Sequence, residues 1–142
     1  MTGWQRVKVV VNLLNLTTLA GLLVALIGRA KLSRGPRGLL YGTGYRLGFP
    51  VAGAFTLGNV VLTKHDRSYF DNSPALVRHE ERHSWQYFCL IGLPMLPLYG
   101  LGAAWSFLRT GCPASRNPFE RLAGLADGGY NERPLRPLFR RA

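Results

Sequence analysis

The chain has 142 residues, enough for one domain with its own core and no need of disulfides. Eighteen Lys and Arg against seven Asp and Glu give a net charge of +11. Most of the cations are Arg, whose planar guanidinium favours carboxylate and phosphate partners. That balance fits anionic lipid headgroups or an acidic protein. It argues against nucleic acid, because the cations are spread along the chain and form no basic run interleaved with aromatics.

Between Lys8 and Arg29 runs an uncharged stretch of twenty residues, VVVNLLNLTTLAGLLVALIG, long enough as a helix to cross a hydrocarbon core of ~30 Å. A membrane-spanning helix is expected, with a buried or interfacial helix as the alternative. Asn12, Asn15 and Thr18 recur every third residue, a weakly polar stripe suited to face another helix while the remaining surface meets lipid. A cleaved signal peptide fits poorly, since Gly28-Arg29-Ala30-Lys31 stands where small residues should follow the apolar run. Residues 29 to 50 carry five cations and five glycines and read as an irregular basic connector near a membrane surface.

AFTLGNVVLT, residues 54 to 63, is apolar and β-branched and reads as a strand. Asp71-Asn72-Ser73-Pro74 announces a helix, with Ser73 at the N-cap and Pro74 in the first turn, running to about Ile91 before Gly92 and Pro94. The charge-free run from Phe88 to Leu108 contains Pro94 and Pro97, so a broken, re-entrant or interior segment competes with a straight span. Cys89 within it reads as a small buried hydrophobe, and Cys112 as a loop residue. Neither has a metal or redox partner at a recognised spacing. Asn117-Pro118-Phe119-Glu120 announces a further helix, closed by Gly128-Gly129. The tail NERPLRPLFRRA is expected to be extended and to lie on lipid or a partner.

The chemistry is concentrated in His79-Glu80-Glu81-Arg82-His83. Residues four apart on a helix stand about 6 Å apart along the axis on one face, so both imidazoles can meet one Zn²⁺. Glu80, rotated by about 100° from His79, stays off the metal but can take a proton from a water and pass it to a leaving amine. An ordinary mixed-charge helix face built from Arg78, Glu80, Glu81 and Arg82 is the alternative.

A catalytic site needs a third protein ligand. Glu120 is preferred, being on a separate helix that can return antiparallel, although Asn117 and Glu120 also have the spacing of a capping box. Asp127, two turns on, reads as an exposed helix-end acid or as an acceptor for a histidine's other ring nitrogen. His65 and Cys112 are weaker third-ligand choices, and Gln86 is placed to line the site or bind backbone.

AFTLGNVVLT, RHEERHSWQ and NPFERLAGLAD together resemble the minimal zincin domains of bacteria with HExxHxxQ and a downstream glutamate helix, over about residues 50 to 130. The resemblance implies His79, His83 and Glu120 as zinc ligands, Glu80 as general base, and residues 54 to 63 as an edge strand to which extended peptide adds. Two departures from such families stand out. Glu81 and Arg82 put charge between the histidines, which suggests a more exposed helix, and Gly124 stands where an aspartate often supports a histidine ligand.

The expected fold is α+β and mostly helical: a small zincin-like core of edge strand, histidine helix and glutamate helix, with one or two hydrophobic membrane-associated segments. Residues 1–35 form the N-terminal helix and basic flank, 36–130 the zincin-like domain, and 131–142 the tail. The expected activity is that of a zinc metallopeptidase at a bacterial cell membrane, acting on peptide and held by anionic lipids. A non-catalytic accessory subunit of a larger membrane complex is the alternative. Lys and Arg flank both apolar segments, so the positive-inside comparison chooses no side.

Overall fold

The long N-terminal apolar run does not form one helix. α1 (Gly3–Leu14) and α2 (Thr17–Ile27) meet at a bend of 69°, and no single helix of the described residues is long and apolar enough to cross a membrane. The break is local chemistry. Leu16 adopts a left-handed φ of 69°, and the Asn15 side chain accepts from the Thr17 amide at 3.1 Å and from its hydroxyl at 2.7 Å. These bonds compete with helical continuation. The computed structural model describes residues 1–137.

The basic connector is likewise more ordered than expected. β1 (Lys31–Arg34) and β2 (Leu40–Thr43) pair antiparallel around a 3₁₀ turn at Pro36–Gly38. Residues 54 to 63 are two strands, β3 (Ala54–Leu57) and β4 (Val60–Thr63), joined at Gly58, where φ is +60°. A Cβ at Gly58 would stand 2.4 Å from the Thr18 amide nitrogen, so this glycine lets the hairpin turn press against the α1–α2 break. The four-stranded sheet has the order β1-β2-β4-β3, with β2 and β4 parallel, which leaves β3 on an edge. The expected boundary at residue 35 thus falls between two paired strands.

β4 is covered on both faces. Val61 joins Leu39, Tyr41, Ala54, Phe70 and Val77 on the side of α3 (Arg67–Asp71) and α4 (Pro74–Cys89), whereas Val60 and Leu62 pack with Ala25 of α2 and Tyr45. α5 (Met95–Thr110) follows a break at residues 90–94 that ends α4, and Pro97 is tolerated in its first turn. α6 (Pro118–Ala123) stops earlier than expected, at Gly124, whose φ is +91°. Cys89 is exposed rather than buried, and Cys112 is half-buried. Residues 131–137 carry no helix or strand, and the rest of the tail, including Arg140 and Arg141, lies outside the described residues. Roughly half of the chain is helical, so the fold is α+β with a small mixed sheet.

The polarity of the N-terminal helices is inverted. α1 and α2 bury Lys8, Asn12, Thr17 and Thr18, and expose Trp4, Val10, Leu14, Leu19, Leu23 and Leu26. Lys8 apart, these buried polar groups find partners on neighbouring elements. Asn12 donates to the Ser84 carbonyl of α4 at 2.9 Å and to Asn59 Oδ1 at 3.2 Å, and Asn59 donates to Thr18 Oγ1 at 2.8 Å. α5 repeats the inversion, burying Ser106 and Thr110 while Leu98, Leu101, Trp105 and Leu108 are exposed.

Candidate metal centre

α4 begins with Pro74 in the first turn after Ser73, although the Ser73 side chain makes no capping bond. One face of the helix carries His79, Glu80 and His83, all buried at 2, 3 and 6% exposure, so the charged residues of the motif do not bring this helix face into solvent. Glu81 and Arg82 point elsewhere. Glu81 pairs with Arg37 of the 3₁₀ turn, and Arg82 donates to the Ala123 carbonyl at 2.7 Å and to Asp127 at 2.9 Å. The charges inside the motif therefore fasten α4 to β1–β2 on one side and to α6 on the other.

Glu120 reaches the histidines from α6. The Asn117 side chain accepts from the Phe119 amide at 3.1 Å, and the Asn117 amide donates to the Ala114 carbonyl, so no reciprocal capping box forms. Freed from that role, the carboxylate places Oε2 3.1 Å from His79 Nε2 and Oε1 3.6 Å from His83 Nε2, and the two Nε2 atoms are 3.0 Å apart. A tetrahedral ion with ligand bonds of about 2.0–2.2 Å requires ligand atoms roughly 3.3 Å apart. One ligand atom from each of these three residues lies within 4.8 Å of the others, and they form the one three-ligand cluster among the described residues.

The proton positions sharpen the fit. His79 Nδ1 faces the Gly124 carbonyl at 2.9 Å, and His83 Nδ1 faces Gln86 Oε1 at 2.8 Å. Both partners are acceptors, because the other end of the Gln86 amide donates to the Phe119 carbonyl at 2.8 Å. Each Nδ1 therefore carries a proton, which leaves each Nε2 facing the common point, with its lone pair free for an ion whenever the ring is neutral. Glu120 Oε2 is buried there and receives no hydrogen bond among the described residues. Three electron-pair donors facing one another repel unless a cation stands between them.

The electrostatics draw positive charge, a proton or a metal ion, to this same point. Burial works to lower the His83 pKa, but Glu120 and Glu80 overcome it and raise the imidazole above its ordinary range. Burial works to raise Glu120, and its contacts with His79 and His83 overcome that and hold it well below the usual carboxylate range. The Tyr99 hydroxyl donates to Glu120 Oε1 and anchors the carboxylate from α5. Glu80 is outside this triad. Its Oε2 accepts from Thr56 Oγ1 of β3 at 2.7 Å, and burial pushes its pKa up.

Of the other residues considered from sequence, Asp127 pairs with Arg78 and Arg82 rather than with an imidazole, and the backbone of Gly124 takes the place of an aspartate. His65 is exposed and stacks on Tyr69, and Cys112 is outside the ligand cluster. Thr56, Tyr99 and the Gly124 carbonyl were not marked by any sequence signal, since each becomes a partner only when separate elements meet. No family model, no curated protein and no solved structure matches this chain.

Proposed function

We propose that the chain is a membrane-associated zinc metallohydrolase, a peptidase built on a minimal zincin-like core of β3, α4 and α6. The observation that carries this reading is the convergence of His79 Nε2, His83 Nε2 and a Glu120 oxygen, with both Nδ1 protons already committed. Zinc bound there supplies Lewis acidity toward a carbonyl and makes a water acidic near neutral pH. Glu80 is the general base. Burial raises its affinity for a proton and the Thr56 hydroxyl fixes its carboxylate, so it takes a proton from water and delivers it to the leaving amine. The outer edge of β3 has no partner strand among the described residues, which suits an extended peptide. Membrane association is supported by the outward apolar stripes of α1, α2 and α5 together with the +11 charge.

Metal analysis of the purified full chain tests the centre. About one zinc per chain is expected, lost in His83→Ala, and a stoichiometry near zero in the unsubstituted protein would defeat the proposal. Glu80→Gln is expected to keep the zinc and abolish peptide cleavage, and equal cleavage by both proteins removes Glu80 as the base.

The uncovered helix faces also favour a second reading, a non-catalytic accessory subunit of a membrane complex. Isolation from its native membrane in mild detergent then brings down fixed partners, and a lone monomer argues against it.

A further inference from the structure

The centre lies against a groove of about 820 Å³ walled by β3, the loop that precedes it, α2 and α5. Beyond the ligands and Glu80, its walls are Val24, Leu47, Phe49, Phe55, Leu96, Ala103 and their neighbours. In a chain with eighteen Lys and Arg, no cation lines this groove among the described residues, and its two carboxylates are Glu80 and Glu120. A charged substrate side chain in the groove would lose its hydration and find no counter-ion away from the centre.

The groove is also continuous with the uncovered apolar surface. α2 and α5 supply its walls through Val24, Leu96 and Ala103, and carry exposed Leu23, Leu26, Leu101 and Trp105 on their other sides. At the rim Phe49 is 80% exposed. A groove for a water-borne peptide has no need of a rim and outer walls that are themselves apolar.

We propose that the substrate is an uncharged, apolar segment of a membrane-resident polypeptide, taken from the bilayer on which α2 and α5 rest. This rests on the peptidase reading above. Gly100 offers a clean probe, because it lines the groove and a Cβ built there meets no atom within 4 Å. Gly100→Lys introduces an ammonium at the groove wall from a position where the Cβ is unobstructed, and Gly100→Leu is the neutral control.

The experiment uses the zinc-loaded full chain carrying Glu80→Gln, bound to anionic phospholipid vesicles, and reads fluorescence anisotropy of labelled peptides. An uncharged Leu/Val/Ala core is expected to bind at least about tenfold more tightly than the same core with one central Lys or Asp. Adding Gly100→Lys is expected to reverse the preference toward the Asp core, while Gly100→Leu keeps it for the uncharged one. Equal binding of charged and uncharged cores, or indifference to Gly100→Lys, overturns the substrate class. Peptide cleavage by the protein with Glu80 intact is followed in parallel. Unselective binding with Glu80-dependent cleavage retained sinks this inference alone, whereas selective binding without any cleavage sinks the hydrolase reading.

Discussion

Gln86 joins the second histidine to the glutamate helix: its Oε1 accepts from His83 Nδ1 at 2.8 Å and its Nε2 donates to the Phe119 carbonyl, next to Glu120, at 2.8 Å. One side chain therefore sets the tautomer of one ligand and the distance to the helix that carries another. Gln86→Ala is expected to lower metal affinity by about 10- to 100-fold, measured by competition with a chelator. Gln86→Glu, which keeps an acceptor for the imidazole, should recover part of that loss. Unchanged affinity in the alanine variant would show that the centre holds its shape without this strut.

Gly128 packs against the other ligand. A Cβ there would stand 2.5 Å from His79 Cε1, a distance that requires the ring to move. Gly128→Ala is expected to weaken metal binding about tenfold or more while leaving the far-ultraviolet circular dichroism unchanged. Wild-type affinity in this variant would contradict the close contact.

Metal removal should destabilise the fold if the proposed ion is held there, because it would bind only the folded centre and separate two imidazole nitrogens and a carboxylate that lie 3.0 to 3.6 Å apart. With free zinc at a hundredfold over Kd the linkage is about 2.7 kcal/mol. Chelation should lower Tm and zinc should restore it in the unsubstituted protein, with no response in Glu120→Ala. A melting curve indifferent to both treatments counts against a metal in this place.

Lys8 gives a pH dependence of known sign. Its Nζ is buried without a hydrogen-bond partner among the described residues, 5.5 Å from the Trp85 ring centroid, and burial pulls its pKa from 10.5 down to about 8. Below about pH 8 both folded and unfolded chains hold the proton and the full cost of burying it is present. Between about 8 and 10.5 only the unfolded chain holds it, so this residue's contribution makes stability rise with pH. Lys8→Met should raise Tm by a few degrees at pH 7, with the advantage shrinking as pH passes through that window. A difference between the two proteins that stays constant from pH 7 to 10.5 would refute the assignment.

The outward leucines test the proposed bilayer contact. Leu23 and Leu26 are 56 and 75% exposed on α2, so Leu23→Glu with Leu26→Glu should fold normally and lose most binding to anionic vesicles in a sedimentation assay. Retention of full binding by the double variant would place the contact elsewhere.

The sequence by itself determined that a helix from Pro74 presents His79 and His83 together, because helical repeat is a property of neighbours along the chain and Pro74 marks the start. It also marked the polar stripe, since Asn12, Asn15 and Thr18 recur every third residue along a largely apolar run. Three matters were decided only by tertiary structure. Asn117 and Glu120 are spaced alike for a capping box and for a ligand, and only the packing of α6 on α4 turned the carboxylate away from the cap and toward the histidines. The apolar run was long enough to span, yet Asn15 turned it back and the polar groups of Asn59 and Ser84 gave its inner face partners inside the fold. The Gly124 carbonyl met an imidazole 45 residues away, a contact no local pattern encodes, because backbone carbonyls are alike until the fold aims one of them.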